Sequence, residues 1–599
     1  MPDRSPATDA AAALLCRLVE LGVEHIVLSP GSRSQAPALV AAELEQRGVV
    51  TLHVRIDERV AGFTALGIGR EARVPAVVIC TSGTAVANLL PAALEAHHAG
   101  VPLILLTADR PPELRGVGAN QTTRQPGMFT AATRWETDLP VPDLTDATGD
   151  GEQSVMLRDV ADRAFAAALG VGLRSPGPVH LNLPYREPLA GPLPDWLCVP
   201  TAELSAAPGQ DPDEAPGEDG AADDDGSGAL YQGGGGIGES DVPRDPEDDP
   251  FVIERGPRTV VIAGADAGPD AEVLAHAGGW PLVAEIVSGA RYGRLLVHGY
   301  RRVLADPALG GRVERALVLG HPTLSREVAG LLARPDVEVV AVRGPGEPLN
   351  LNGATVAVDA VTVATGEPDR EWLRAWLEAS RAASVDLSPP APDADALASA
   401  VPGERLGAIA DELAVIRAPL DRAALVDAVW RATWPHDRLV FGSSRLVRVA
   451  DAVLAGKKVP VHANRGLAGI DGTVATATGI ALASQGNAGP GVTRVLLGDL
   501  AMLHDVGALL LPPSETEPRL QVIVGNDRGG TIFDGLEVAG VAGEDAMDRV
   551  LFTPQDVRLE QLALAYGWEY RRVTTRAALD QALTAPVGGR QLVEVPLDR

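Results

Sequence analysis

The chain has 599 residues, too many for one hydrophobic core, and that length points to three or four domains. Its formal net charge of −29 at pH 7 argues against nucleic acid or anionic membrane as partners, since both demand basic surface. With 46% hydrophobic but only 4% aromatic residues, the core must be built from Ala, Val and Leu. From the N-terminus, the stretch 1–9 lacks the basic start and hydrophobic centre of a secretory signal, and no run approaches the roughly 18 apolar residues that cross a bilayer. A soluble cytoplasmic enzyme without an integral membrane segment is expected. Cys16, Cys80 and Cys198 are odd in number and widely spaced, which suits small core residues and not a disulfide frame or zinc site.

Residues 1–200 read as a first unit, with strands at 25–29, 49–54, 76–80, 102–107 and 179–183 and helices at 35–46, 59–70 and 84–98. This βα alternation predicts a doubly wound parallel sheet. Residues 205–250 follow, and between Asp211 and Pro250 fourteen Asp or Glu stand against Arg244 alone. Such a segment buries too little apolar surface to offset chain entropy and is expected to be a disordered acidic linker, with a regulatory docking arm as the other reading. Alternation resumes over 255–385, with strands at 258–265, 281–286, 315–320 and 337–342 and a helix near 370–380. A Pro- and Asp-rich connector at 388–395 leads to a third unit, 405–599. The fold class is therefore α/β, with three doubly wound parallel-sheet domains and no sequence repeat visible by eye.

The third unit carries the sharpest chemical signal. Leu497-Gly498-Asp499 closes one apolar run and Val524-Gly525-Asn526-Asp527-Arg528-Gly529-Gly530 closes the next, with a crossover helix expected over 502–511. Two carboxylates thus stand at the carboxyl ends of adjacent parallel strands, where open α/β sheets bind ligands. Asp499, Asp527 and a backbone carbonyl at Gly529 offer hard oxygens to Mg²⁺ or Mn²⁺ that would also hold a diphosphate. Ordinary βα loops also end in Asp and Gly, and a one-residue slip would make Asn526 the ligand. In the first unit Asp57-Glu58-Arg59 follows a strand and opens a helix, where an acid can simply complement the helix dipole.

The spacing of Asp499 and Asp527 resembles the metal-diphosphate signature of thiamine diphosphate enzymes. Further segments sharpen the likeness: Ser29-Pro-Gly-Ser-Arg-Ser34, Thr81-Ser-Gly-Thr-Ala-Val-Ala-Asn88, Leu106-Thr-Ala-Asp-Arg-Pro-Pro-Glu-Leu114, Gly118-Ala-Asn-Gln-Thr-Thr-Arg-Gln-Pro-Gly127, His462-Ala-Asn-Arg-Gly-Leu-Ala-Gly-Ile-Asp-Gly472 and Gly530-Thr-Ile-Phe533. Together they closely resemble the menaquinone-pathway 2-succinyl-5-enolpyruvyl-6-hydroxy-3-cyclohexene-1-carboxylate synthase family, over both outer units and more weakly through the middle one. The resemblance implies a pyrimidine-binding domain first, a central domain, and a diphosphate- and metal-binding domain last. It implies a homodimer or homotetramer with active sites between subunits, and a reaction that joins 2-oxoglutarate to isochorismate with loss of CO₂. It assigns Glu58 to the activation of thiamine diphosphate, through a hydrogen bond to the pyrimidine N1′, and Gln121 to the reacting centre. Thr81, Gly83, Ile470, Gly498 and Asp499 are implied to hold the cofactor, with Ile470 propping its bent form. Ser32, Arg33, Arg110, Ser444, Arg448, Arg465, Arg326, Ile532 and Phe533 are implied to meet the two dianionic substrates, arginine forks suiting carboxylates.

For a single arginine the competing role is a structural ion pair, for Gln121 a loop amide that caps backbone, and for Ile470, Ile532 and Phe533 plain core packing. The thiamine enzymes usually carry Asn where Asp527 stands. An acetolactate synthase-like decarboxylase or carboligase is a rival, though no dinucleotide fingerprint marks a flavin site; a catalytically silent thiamine-fold scaffold is the rival from another class.

Overall fold

The structure, a computed structural model, describes residues 4–146, 148–197, 250–388, 391, 393–486 and 489–599. The expected acidic linker, but for Pro250, and Cys198 lie outside the described residues.

In the first unit, strands β1 (His25–Leu28), β2 (Thr51–Val54), β3 (Ala76–Cys80), β4 (Leu103–Asp109), β5 (Trp135–Asp138) and β6 (Pro178–Pro184) form one sheet in the order β2-β1-β3-β4-β6-β5. Every pairing in it is parallel. Because side chains alternate across a strand, Ile26, Leu28, Val77, Ile79, Ile104 and Leu106 enter one core with helices Pro6–Glu20, Gln35–Gln46 and Glu152–Ala168. Val27, Val78, Cys80, Leu103 and Leu105 enter the opposite core with helices Glu58–Ala72 and Leu90–Ala99. The strands are near-continuous hydrophobic runs because both faces are covered.

The middle unit has a five-stranded sheet of β8 (Thr259–Ala263), β9 (Leu282–Ala284), β10 (Arg315–Leu319), β11 (Glu338–Val342) and β12 (Val356–Val358), in the order β12-β11-β10-β8-β9. A separate parallel pair joins β7 (Phe251–Ile253) to β13 (Val361–Val363).

The third unit contains β14 (Arg438–Phe441), β15 (Val461–Ala463), β16 (Thr493–Gly498), β17 (Leu520–Asn526), β18 (Glu569–Arg572) and β19 (Arg590–Pro596), in the order β15-β14-β16-β17-β19-β18. Counted within its own unit, that order is the order of the first sheet. The repeat invisible in the sequence is present in the topology.

Two expectations need correction. The crossover after β16 is not one helix over 502–511: helix Asp499–His504 starts at the strand end and stops at Asp505, followed by a 3₁₀ turn Val506–Leu509. Asp505 turns its carboxylate onto the amide of Ala475, 2.9 Å away, and Pro512 and Pro513 lie just beyond, where a helix cannot continue. The helix expected over 84–98 is broken at Leu89 into Thr84–Asn88 and Leu90–Ala99, with Pro91 in the first turn of the second piece.

The outer units meet through helices Glu58–Ala72 and Thr473–Ser484. A Cβ on Gly67 would fall 2.0 Å from the carbonyl oxygen of Thr476, and one on Gly479 would fall 2.0 Å from that of Thr64. Only glycine permits so close an approach of two helix backbones. Among the described residues no helix is long and apolar enough to cross a membrane.

Candidate active site

At the carboxyl edge of the third sheet lies a cavity of about 170 Å³. Ser444, Ile470, Gly498, Asp499, Asp527, Gly529, Ile532 and Phe533 all line it. Topology explains the convergence: these residues follow β14, β15, β16 and β17, the four strands beside the point where strand order reverses. Gly529 adopts φ +133° and a Cβ there would sit 2.3 Å from the carbonyl oxygen of Phe552, so the wall requires glycine. Asp499 is 4% exposed, and burial, then the charge of Asp527, pushes its carboxyl up to about 6.

Asp527 directs one oxygen to Arg422, with Nη2 at 2.7 Å and Nε at 3.3 Å, and to the hydroxyl of Thr531. Asn526 instead donates to Glu594 Oε1 at 2.8 Å and does not line this cavity. Two carboxylates lining one cavity, with no nitrogen or sulfur ligand beside them among the described residues, fit a hard divalent cation. Among the described residues no group of three or more His, Cys, Asp or Glu converges on a metal-sized site. A cation here would therefore complete its shell from backbone carbonyls and from oxygens of the ligand it anchors. The cavity is also smaller than the roughly 300–1,000 Å³ of a whole small-molecule site, which suits one end of a cofactor and not all of it.

The first domain presents a second cluster at the equivalent edge of its own sheet. Thr81 accepts from the amide of Arg33 at 3.2 Å, and Arg33 Nη1 donates to the carbonyl of Tyr185 at 3.2 Å while its buried Nε has no partner. Arg110 donates to the hydroxyl of Ser82. Burial and then the neighbouring Arg33 charge push the Arg110 guanidinium down. Gln121, at φ 53°, donates from Nε2 to the carbonyl of Ser82 at 2.9 Å, and the amide of Gly83 donates to Gln125 Oε1 at 3.0 Å. Ser32 is exposed beside this group. Two buried arginines repelling each other, with no ion pair to a carboxylate among the described residues, form a niche for an anion.

Glu58 is the first residue of its helix and is half-buried; Asp57 caps that helix by accepting from the amides of Arg59 and Val60 at 2.8 and 3.4 Å. The Cys80 thiol, at the end of β3, is pushed well up by burial and, second, by the charge of Glu58. No first-domain residue lines the cavity of Asp499 and Asp527. One chain thus assembles two half-sites without joining them.

The remaining arginines sit between the middle and third domains. Arg448 donates to the carbonyl of Ser444 at 2.7 Å. Arg465 is 2% exposed and gives its donors to Thr323 and Ser443. Arg326 is exposed and pairs with Glu537 at 2.9 Å, just beyond Ile532 and Phe533. The sequence assigns no role to Ser82, Gln125, Arg422 or Thr323. Ser82 and Gln125 lie inside segments that mark the region, and Thr323 lies in the segment 320–326, whose likeness to the family is weak; Arg422 carries no local signal, because its partner is 105 residues away.

The chain is similar to known proteins over nearly its whole length. The model of the thiamine pyrophosphate enzyme N-terminal domain matches residues 8–129. A 2-succinyl-5-enolpyruvyl-6-hydroxy-3-cyclohexene-1-carboxylate synthase of Leifsonia xyli subsp. xyli is 51% identical, over 99% of this chain and 97% of its own length. One from Clavibacter michiganensis subsp. michiganensis is also 51% identical over the same shares, and one from a Nocardioides species is 41% identical over 100% of this chain and 97% of its own. Among solved structures, benzoylformate decarboxylase from Polynucleobacter necessarius superposes with a TM-score of 0.61 over 99% of both chains at 15% identity, a likeness of fold.

Proposed function

The chain belongs to the 2-succinyl-5-enolpyruvyl-6-hydroxy-3-cyclohexene-1-carboxylate synthase family, and we propose that its two half-sites divide that family's reaction between cofactor anchoring and substrate charge. It is a thiamine diphosphate-dependent transferase that decarboxylates 2-oxoglutarate and adds the remaining four-carbon unit to isochorismate. Bound thiamine diphosphate supplies the electron sink for loss of CO₂. In our reading Asp499, Asp527 and the Gly529 carbonyl hold Mg²⁺ or Mn²⁺ and with it the diphosphate. Ile470, Ile532 and Phe533 exclude water from the third-domain cavity, and Thr81 and Gly83 form the wall on the first-domain side. Glu58 holds a proton against the pyrimidine ring and Gln121 orients the reacting substrate. Arg33 and Arg110, helped by Ser32, neutralise one carboxylated substrate, and Ser444, Arg448, Arg465 and Arg326 the carboxylates facing the third domain.

The observation that carries this reading is the equivalent placement of the two clusters on sheets of identical strand order. A half-site too small for the cofactor supports completion by a second copy of the chain, so the reading includes a homodimer or a larger even assembly. The test is loss of isochorismate absorbance with Mg²⁺, thiamine diphosphate and 2-oxoglutarate, beside Glu58→Gln. Loss that needs every component and falls by a factor of about 10² or more in the variant supports the assignment. CO₂ release without isochorismate consumption would overturn the acceptor, and an active Glu58→Gln would overturn the role of Glu58.

A further inference from the structure

Arg465 lies in the third domain, yet most of its bonds go to the second. Nε and Nη2 donate to Thr323 Oγ1 at 3.0 and 2.7 Å, and Nη2 also reaches the Thr323 carbonyl at 3.1 Å. Nη1 alone stays within its own domain, on Ser443 Oγ at 3.2 Å. Thr323 is in turn fixed from behind. Its amide donates to both oxygens of Glu285 at 2.9 and 3.1 Å, and the amide of Leu324 donates to Glu285 Oε1 at 2.7 Å. Glu285, just past the end of β9, is fully buried and makes no ion pair among the described residues. A carboxyl group in such a place is costly unless its hydrogen bonds are kept, so it pins the 323–324 backbone in one position. On the other side Ser443 precedes Ser444, which lines the cofactor cavity and whose carbonyl receives Arg448. An unbroken series of contacts of 3.2 Å or less therefore runs from Glu285 through Thr323 and Arg465 to the cavity rim.

We infer that Thr323, held by Glu285, is a positioning residue: the second domain sets the direction of Arg465 and the Ser443-Ser444 turn, and so tunes the binding of a carboxylated substrate it does not touch. The inference rests on the reading that Arg465 serves a substrate carboxylate. A buried guanidinium that loses a hydroxyl acceptor must find another, and an arginine fork displaced by even part of an ångström no longer matches a carboxylate.

The experiment compares Thr323→Val, which keeps shape and removes the hydroxyl, with Thr323→Ser, which restores it, and with Arg465→Ala. KM for 2-oxoglutarate and for isochorismate, kcat, and cofactor affinity by tryptophan fluorescence on titration with thiamine diphosphate and Mg²⁺ are read for each. Thr323→Val is expected to raise one substrate's KM about tenfold, the loss of one charge-assisted hydrogen bond, with cofactor affinity unchanged and Thr323→Ser close to wild type. Both KM values unmoved in Thr323→Val, a defect that Ser fails to rescue, or an equal loss of cofactor affinity would overturn the positioning role. If Arg465→Ala raises a KM that Thr323→Val leaves alone, the positioning fails while the arginine assignment stands; if Arg465→Ala moves neither KM, the assignment itself has failed. Should Thr323→Val not fold, Ser443→Ala, which removes the other side-chain anchor of Arg465, takes its place with the same expectations.

Discussion

At the scale of single residues, the question left open by the Asn-Asp pair turns on where each side chain points. Asn526 is engaged by Glu594, whereas Asp527 faces the cavity shared with Asp499 and is steadied there by Arg422 and Thr531. Asp527→Ala is therefore expected to weaken retention of thiamine diphosphate and Mg²⁺ by more than the roughly 10–100-fold typical of groups behind a metal ligand. Asn526→Ala should leave retention near wild type. Equilibrium dialysis of the two variants decides the matter, and the reverse ranking would move the ligand to Asn526. Arg422 also gives a physical reason why an extra carboxylate is tolerated beside a diphosphate: a guanidinium 2.7 Å away offsets its charge.

At the scale of elements, helices Glu58–Ala72 and Thr473–Ser484 carry the relation between the outer domains. Each begins at a candidate site segment, one at Glu58 and the other two residues past Ile470-Asp471, and Arg59 adds a bond to the carbonyl of His504 at 2.8 Å. A methyl group at Gly67 or Gly479 has to push backbone, not a flexible side chain. Gly67→Ala and Gly479→Ala are each expected to cost about 1–3 kcal/mol, the range for overpacked cores, and to lower both Tm and turnover. Unchanged Tm in calorimetry would mean that the helices do not meet as described. The alternation of apolar runs was enough to anticipate the first of these helices, near 59–70, but not the second and not their glycine contact, because a glycine inside a helical pattern does not name what it approaches.

At the scale of the molecule, two parallel sheets of one topology carry the two candidate half-sites. If active sites form between subunits, mixing Glu58→Gln with Asp499→Asn chains creates hybrids in which one of the two sites is intact. Random reassociation should then restore about a quarter of wild-type activity from two inactive proteins. No recovery after verified mixing would place the whole site within one chain. The junction between the second and third domains has its own signature. Burial, then the charge of Asp451, pushes the carboxyl of Glu285 up to about 8. Arg465, Arg448 and Asp451 are the charged groups that act on it or feel it, together with the phenol of Tyr300. Because the folded state binds this proton more tightly than the unfolded chain, the contribution is fully present below about pH 4.5 and is lost as pH rises toward about 8. Glu285→Gln removes that titration, so its Tm relative to wild type is expected to climb between about pH 5 and about pH 8. A constant difference across that window would show that Glu285 titrates normally.

The amino-acid sequence by itself determined the layers, most of the strands, and the loops that carry Asp499, Asp527, Glu58 and the arginines. These are local properties: a buried parallel strand is a short apolar run, and the residues after it lie at the sheet edge whatever the rest of the chain does. Only the tertiary structure decided that the two outer sheets share one strand order, that Asp527 is neutralised by Arg422, and that Arg465 is held by a threonine of another domain. Those outcomes depend on groups more than a hundred residues apart meeting within about 3 Å, which is a property of packing and leaves no period or motif in the sequence.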